Sequence, residues 1–390
     1  MLDTLDDLIA VADSIAEAIP QVSKGTNFWM VRSKQGVFYN EYVGGSFIAI
    51  GWNVLTEAIL HRSKDDEYYK KLLTDADYPD KVPGTALNKC RRFIEEIKSG
   101  DIAMIVGRSE IAFATIGDYF EVDNDQTTAI RELEIHAQIE DGTYLGLNCP
   151  YKKRRHISII SKVDLSCAPP IVYKCLVSNR HSLSSLNEYA DAILSCCYDV
   201  SFYNDRLILK YHIRQSKDIN PIDFSMFTLS IASLVSEDSK NISGRYNLNS
   251  EGDLVLFLAN NGQLILDFIK EHLVPILLGY FILFGGKVAG IEFPSSIDKV
   301  KNLVSDFLFR KETRRLKIAE VVKAEAEAAQ AQADAEKSRL ELEALRAKVE
   351  KKAFDTVENL ARAAIPLDIK PPANNIIDIS AIFQIDDETD

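Results

Sequence analysis

The stretch from residue 297 to residue 364 constrains the fold most, because it contains neither proline nor glycine and is rich in Ala, Glu, Lys and Arg. Small or apolar side chains recur there at alternating spacings of three and four, with charges between them. They are Val321, Ala324, Ala328, Ala331, Ala335, Ser338, Leu342, Leu345 and Val349. The pattern predicts a long coiled-coil helix through which copies of the chain form a homo-oligomer. A single solvated helix with Glu/Lys pairs is the alternative.

The rest of the chain divides into four segments of different pattern. Residues 1–24 place apolar side chains at helical spacing with acids between them, which predicts an amphipathic helix. Residues 25–166 carry short β-rich runs, one of them the VFYNEY run at residues 37–42, with two helices inserted. This pattern is typical of a small, partly closed β-barrel. A Cys-Ala-Pro-Pro linker leads into residues 171–293, predicted to be an α+β domain of unknown type that contains a hairpin around Asn204-Asp205. Residues 367–390 form an acidic tail. The predicted fold class is α+β.

The longest uncharged apolar run, Leu273 to Gly286, bears on membrane association. It contains a proline and is shorter than the roughly 20 residues that a helix needs to span a bilayer. We therefore expect a buried helix and no membrane partner, with a membrane-inserted or re-entrant segment as the alternative.

The net charge of −13 argues against a protein that nucleic acid wraps on all sides, but the charge is unevenly distributed. Residues 1–24 and 367–390 together contribute −9 of it, so the middle is close to neutral and can present a local basic face. The six cysteines form no C-x-x-C pair, and the N-terminus is acidic where a secretory leader would be basic. We expect reduced thiols, no metal, no cofactor and a cytoplasmic protein.

Catalytic motifs are scarce in this sequence. Pro79-Asp80 followed by Glu96-Ile97-Lys98 has the letters of a PD…ExK nuclease, in which Asp80, Glu96 and Lys98 would hold a divalent metal and a water. That chemistry needs Glu96 and Lys98 on a strand, whereas the apolar residues from Leu87 to Ile97 recur at helical spacing. The sequence therefore favours a protein that is not an enzyme, with a metal-dependent nuclease as a weaker alternative.

Aromatic and basic residues of segment 25–166 indicate a different kind of site. Both tryptophans, Trp29 and Trp52, lie on or beside predicted strands, where an aromatic cluster stacks on a flat base or simply packs in the core. Two basic runs could neutralise phosphates. They comprise Lys89, Arg91 and Arg92, and Lys152, Lys153, Arg154 and Arg155.

Four stretches of this segment carry a resemblance to a known family. They are FWMVRSKQGVFYNEYVGGSFIAIGWN, EIKSGDIAMIVG, EIAFATIGDYFEV and KKRRHISIISKVDLS. Together they resemble the PUA-like domain at the N-termini of Mrr-type restriction proteins, which is related to the EVE and YTH group. The resemblance covers about residues 25–166 and implies a nucleic-acid-binding barrel. It also implies that Trp29 and Trp52 wall a base pocket and that Arg32 contacts a phosphate or base. No nuclease domain follows, which departs from the restriction proteins.

These observations give two functional hypotheses. The first is a sensor that binds DNA or RNA, reads a modified base, oligomerises through the coiled coil and serves prokaryotic anti-phage defence. An effector activity would then come from residues 171–293, from assembly or from a partner protein. The second is a structural or membrane-associated assembly protein with a degenerate PUA-like platform. The sequence leaves open the type of nucleic acid, the oligomer number and the helix orientation.

Overall fold

The structure is a computed structural model in which the described residues are 5–62, 64–78, 83–142, 147–213, 219–235, 241–246, 252–284, 287–288, 291–292, 301–313, 334–367 and 369–370. The fold is mixed α+β and separates into two compact units. The central unit is continuous, from Val22 to Tyr198. The terminal unit joins residues 1–21 to residues 199–390. Both ends of the chain therefore belong to one unit.

The elements follow one another in this chain order. Up to residue 198 they are α1 (Leu5–Ala18), β1 (Gln21–Val22), β2 (Phe28–Arg32), α2 (Tyr39–Gly44), β3 (Phe47–Ile50), α3 (Glu57–Leu60), α4 (Asp66–Asp75), α5 (Pro83–Arg91), β4 (Ile102–Val106), β5 (Glu110–Glu121), α6 (Ala129–Glu140), β6 (Lys153–Asp164), α7 (Pro170–Ser178), β7 (Leu183–Ser185) and α8 (Ala190–Cys197). From residue 199 they are β8 (Val200–Tyr203), β9 (Arg206–Ile213), α9 (Pro221–Val235), β10 (Ile242–Tyr246), β11 (Gly252–Ala259), α10 (Ile265–Phe284), β12 (Lys287–Val288), β13 (Ile291–Glu292), α11 (301–313), α12 (Asp334–Leu367) and β14 (Ile369–Lys370).

The central unit is organised around one curled sheet with the strand order β3-β6-β5-β4-β2-β7. β2 and β4 pair in parallel, and the other neighbours are antiparallel. The long strands β5 and β6 shift register after Phe113 and again after Ile116, and such irregularities increase twist and bend a sheet. Among the described strands no pair joins β3 to β7, so the pairing is that of an open sheet.

The predicted boundary at residues 167–170 is wrong. β7 pairs with β2, with Ser185 opposite Trp29, and the Ser161 hydroxyl donates a hydrogen bond to the Cys196 carbonyl at 2.8 Å. Pro170 begins α7, where its fixed φ suits the first turn of a helix, instead of ending a domain. The strand predicted around Tyr39 is also wrong, because α2 lies there.

The terminal unit packs helices on a second sheet with the order β1-β8-β9-β11-β10, to which β14 adds by pairing with β9. The predicted hairpin of β8 and β9 is confirmed: Asn204 and Asp205 have φ of 49° and 58°, as a two-residue type I′ turn requires. The predicted amphipathic helix is confirmed as α1, whose Leu8 and Ala12 are buried in this unit's core.

The apolar run after residue 272 forms most of α10, a buried helix as predicted. Leu273, Ile276 and Leu278 are at most 2% exposed, and Pro275 lies inside the helix. Over the part of the chain that the structure describes, no helix is both long enough and apolar enough to cross a membrane.

The prediction of one continuous helix over 297–364 is wrong, because α11 and α12 are separate and antiparallel. The Lys301 Nζ lies 4.4 Å from the centroid of the Phe354 ring, and the Arg346 guanidinium carbon lies 5.6 Å from that of Phe309. Residue numbers thus rise along one helix as they fall along the other. The sequence pattern has helical spacing throughout, which is why it conceals the break between the two helices.

The predicted coiled-coil seam is only partly described. Val349 is 4% exposed and lies in the core of its own unit, Leu345 packs against that core, and Leu342 is 40% exposed. Outside the described residues or side chains lie Val321, Ala324, Ala328, Ala331, Ala335 and the tail after Lys370. At Val349 the apolar seam is therefore buried within the chain, since an intramolecular neighbour satisfies a heptad position as well as a second copy does. Oligomerisation stays a prediction.

Candidate functional site

A pocket of about 350 Å³ opens in the central unit at the end of β3. The turn after β3, the loops after β2 and before β7, and helices α5 and α6 supply its walls. The residues that line it are Arg32, Lys34, Gln35, Ala49, Ile50, Gly51, Trp52, Tyr78, Lys89, Glu132, His136, Glu140, Tyr151, Arg180, His181 and Ser182. Its volume is in the range of small-molecule sites, and its lining mixes aromatic with charged side chains.

The turn after β3 places Trp52 in an unusual backbone conformation. Trp52 has φ of +60°, in the left-handed region that costs a non-glycine residue about 1 kcal/mol or more. Gly51 precedes it, and a Cβ at that position would lie 2.2 Å from the Glu132 Oε1 atom. Only glycine therefore allows the backbone to approach the Glu132 carboxylate this closely.

Glu132 on α6 fixes this turn from one side. Its Oε1 accepts a hydrogen bond from the Trp52 N–H at 2.7 Å, and its Oε2 accepts from the Asn53 N–H at 2.9 Å and from the Tyr78 hydroxyl at 2.6 Å. The side chain is only 1% exposed. Burial raises the pKa of Glu132 above its ordinary value, while the Tyr78 hydroxyl, the Lys153 charge and the backbone donors oppose the rise.

Lys153 and Asn53 fix the turn from the other side. The fully buried Lys153 donates from Nζ to the Trp52 carbonyl at 2.7 Å. The Asn53 amide donates to the Pro150 carbonyl at 2.7 Å, and its Oδ1 accepts from the Lys152 N–H at 2.9 Å. The N–H and the carbonyl of Trp52 are thus both hydrogen-bonded to buried ionisable side chains. These bonds hold Trp52 in its left-handed conformation despite the cost.

Helix α6 also contributes a histidine, which is paired with a tyrosine. The His136 Nε2 lies 2.9 Å from the Tyr151 hydroxyl. Burial lowers the pKa of His136 to about 4, and the nearby Lys34 charge acts in the same direction. At neutral pH the imidazole is therefore uncharged, and it contributes a polar but neutral surface to the pocket.

Cations lie around the aromatic wall. The Lys89 Nζ is 5.3 Å from the centroid of the partly buried Trp52 ring, within the range of a cation–π interaction. Lys34 lies 3.7 Å from the exposed Glu140 carboxylate. Arg180 is exposed in the loop before β7. The site thus combines a flat aromatic surface with positive charge.

Two of the three residues assigned to a base pocket have structural roles. Trp29 is 4% exposed, does not line the pocket, and donates from Nε1 to the Asp101 carboxylate at 2.9 Å. Arg32 lines the pocket, but its guanidinium donates to the carbonyls of Leu176 and Asn179 at the end of α7. Burial lowers the pKa of Arg32. Trp52 lines the pocket, and its role in binding a base stays a prediction.

The basic run 152–155 is not the solvated phosphate-binding surface that the sequence suggested. It begins strand β6, where alternate side chains point to opposite faces, so Lys153 and Arg155 are buried. Lys152 pairs with the Asp123 carboxylate at 2.9 Å, and the Arg154 guanidinium donates to the carbonyls of Tyr151 and Cys149. Arg155 donates to the carbonyls of Phe93, Ile94 and Gly117.

The other predicted basic run divides between the pocket and the surface. Lys89 lies beside the Trp52 ring and lines the pocket. Arg91 pairs with Asp66 at 2.7 Å, and Arg92 lies 3.6 Å from Glu96. Neither arginine lines the pocket.

The nuclease alternative gains no support from the described residues. Glu96 ends a short π-helix, Arg92–Glu96, instead of lying on a strand, and Lys98 is exposed in the following loop. Asp80 lies outside the described residues. Among the residues that the structure does describe, no group of three or more His, Cys, Asp and Glu side chains is placed to hold a metal ion.

Sequence reasoning missed Glu132, His136, Tyr151, Arg180 and His181. They come from three parts of the chain, which are helix α6, the segment before β6 and the loop before β7, and none of them belongs to a recognisable motif. The sequence signal for this site is the Gly51-Trp52 pair, because a glycine lets another group approach the backbone closely beside the tryptophan. Comparisons of the chain with protein-family models, curated proteins and solved structures found no match.

Proposed function

We propose that the central unit binds nucleic acid by taking one base into the pocket against Trp52. The observation that carries the proposal is the constrained turn. Glu132 and Lys153 hold Trp52 in a left-handed conformation, and its side chain lines the pocket beside Lys89. A base stacks on such a rigid aromatic surface at little entropic cost, with a typical contribution of about 1–3 kcal/mol.

The net charge of the central unit is close to zero, which favours attraction of phosphates by the cations of the pocket over attraction by the whole surface. Residues 22–198 contain 21 basic and 23 acidic side chains, so no strong overall field attracts a polyanion. Attraction would come from the cations of the pocket, Lys34, Lys89 and Arg180. We therefore expect few phosphate contacts and a shallow dependence of affinity on salt.

The resemblance of segment 25–166 to PUA-like domains supports the same proposal, because that group commonly binds nucleic acid. We propose further that the chain acts as a sensor of nucleic acid in anti-phage defence, with copies joined through the heptad segment. One base site alone is weak, and several sites on one assembly raise the effective concentration.

Fluorescence anisotropy of the full-length protein with single-stranded and duplex DNA and RNA, at two salt concentrations, tests base binding. Trp52→Ala should weaken binding about 10-fold or more, as the loss of a stacking surface predicts. Tyr173→Ala is the matched control, since this aromatic side chain is 53% exposed and lies outside the pocket. Equal losses of affinity and of unfolding free energy in Trp52→Ala would show that Trp52 is only a core residue.

Light scattering tests the assembly. The wild type should exceed the monomer mass, and Leu342→Glu should reduce that mass, because this leucine is an exposed member of the heptad pattern. A wild-type mass equal to one chain at micromolar concentration would refute oligomerisation and leave base binding untouched.

A further inference from the structure

The loop between α7 and β7 contributes three consecutive residues to the pocket wall. They are Arg180, His181 and Ser182. Arg180 and His181 are exposed, and neither forms a hydrogen bond or ion pair with any residue that the structure describes. The loop offers a positively charged donor and an imidazole at a pocket that already has an aromatic wall.

Ser182 adds a buried hydroxyl to the same wall. Its Oγ is buried and has no hydrogen-bond partner among the described residues. Its carbonyl accepts from the Arg32 N–H at 2.9 Å, which anchors the loop to β2. A buried hydroxyl without a partner is unfavourable, and an oxygen atom of a ligand would satisfy it.

Arg32 explains why Arg180 is available. The Arg32 guanidinium binds the carbonyls of Leu176 and Asn179, at the end of α7 directly before the loop. Those carbonyls are the groups that a cation near a helix C-terminus ordinarily satisfies. Because Arg32 satisfies them, Arg180 is left to face the pocket.

Other cations near the pocket already have partners. Lys34 lies 3.7 Å from the Glu140 carboxylate, and the Lys89 Nζ lies 5.3 Å from the centroid of the Trp52 ring. The planar guanidinium of Arg180, by contrast, presents donors whose geometry matches two oxygens of a phosphate.

We propose that Arg180, His181 and Ser182 form a phosphate subsite, so that the pocket recognises a base together with the phosphate attached to its sugar. This inference rests on the proposed binding of a base against Trp52. The ligand class is a nucleotide, either free or within a nucleic-acid strand, and the shared chemistry is a phosphate ester. A nucleoside without phosphate would leave the subsite unused.

Paired ligands measure the phosphate contribution directly. Wild type and Arg180→Gln are titrated by calorimetry with the nucleosides and nucleoside monophosphates of the common bases. They are also titrated with hexanucleotides whose linkages are either phosphodiesters or neutral methylphosphonates. Arg180→Gln should weaken binding of the phosphate-bearing member of each pair about 10-fold and leave the neutral member within 2-fold. Ser182→Ala should produce a smaller, roughly 3-fold loss with the same selectivity.

Lys162→Gln is the matched control, because it removes one exposed positive charge from β6, outside the pocket. It should change no affinity more than 2-fold. Comparable affinity for a monophosphate and a hexanucleotide would identify a free nucleotide as the ligand, and much tighter binding of the hexanucleotide would identify a strand. Either result supports the subsite.

Two results would overturn the inference, and they are distinguishable. If wild type binds nucleic acid and Trp52→Ala does not, but Arg180→Gln affects charged and neutral ligands equally or not at all, only the phosphate subsite is wrong. If wild type binds none of the ligands, the proposed function fails and the subsite fails with it.

Discussion

Two basic segments of the central unit have opposite fates. The run 152–155 has four adjacent cations and is conspicuous in the sequence, yet Lys153 and Arg155 are buried and bonded to backbone carbonyls. The loop with Arg180 and His181 attracts no notice in the sequence, yet it lines the pocket. The difference shows that the neighbours of a charge, and not the local density of charge, decide whether it lines a pocket or is bonded inside the protein.

The physical cause is the secondary structure that carries each segment. A strand alternates its side chains between two faces, so Lys153 and Arg155, two positions apart at the start of β6, share one face and point inward together. Those two are tolerated because carbonyl groups compensate their desolvation. A short loop at the edge of a pocket imposes no such alternation.

The largest expected effect is that of Arg155→Ala. The variant leaves the carbonyls of Phe93 and Ile94 without their buried donor, so the free energy of unfolding should fall by about 3 kcal/mol. Urea titration followed by tryptophan fluorescence measures this change. Arg180→Ala is the matched variant and should change the unfolding free energy by less than about 0.5 kcal/mol. If Arg155→Ala weakened nucleic-acid binding without loss of stability, Arg155 would be a ligand contact and not a structural residue.

Lys153→Met should have the next largest effect, a loss of about 2 kcal/mol. It removes the donor to the Trp52 carbonyl and the positive charge that stabilises ionised Glu132. Lys153 also holds the turn that positions Trp52. At a temperature where the variant is still folded, it should therefore bind nucleic acid more weakly than the wild type. The same change at Lys162, exposed on the same strand, provides the control and should alter neither quantity. Unchanged binding in folded Lys153→Met would mean that the turn does not depend on Lys153.

His136 should make the protein sensitive to acid. Its pKa is about 4 in the folded protein and near 6.5 in an unfolded chain, so between these values only the unfolded state takes up the proton. Stability from this group is therefore complete well above pH 6.5 and is lost as the pH falls, by about 2 kcal/mol at pH 5.

The variant His136→Gln isolates this effect. Glutamine can still bond to the Tyr151 hydroxyl but takes up no proton, so its unfolding free energy should fall less between pH 7 and pH 4.5 than that of the wild type. Burial raises the pKa of Glu132, which contributes in the opposite direction in both proteins and cancels in the comparison. Parallel pH profiles of the two proteins would contradict the assignment.

The smallest effect should come from Lys152→Gln. Lys152 pairs at 2.9 Å with Asp123, which is 82% exposed, and such pairs contribute between 0 and about 1 kcal/mol. We expect a change below 0.5 kcal/mol in unfolding free energy and below 2-fold in affinity. A 10-fold loss of affinity would show that this cation of the run meets phosphate after all.

The elements that were predicted correctly are those with strong local patterns. α1 and α10 follow from apolar spacing, and the β8–β9 hairpin follows from the Asn204-Asp205 turn. Within the candidate site, Trp52 and Lys89 could be named in advance because they stand out by residue type and lie in a segment rich in strands.

The rest depends on contacts between residues distant in sequence. Trp52 meets Glu132 from 80 positions away, and Arg32 binds the end of α7 from more than 140 positions away. No local pattern encodes such pairs. The break between α11 and α12 escaped notice for the related reason that each helix satisfies the same periodicity separately.

The division of the chain has a consequence for its synthesis. Residues 22–198 are contiguous and can fold as soon as they leave the ribosome, whereas α1 belongs to a core completed by residues after 199. At roughly 5–20 residues per second, the apolar face of α1 waits at least about 10 s for the first of those strands. During that interval the apolar face of α1 is exposed on the nascent chain. We therefore expect chaperones to bind the nascent chain mainly at α1.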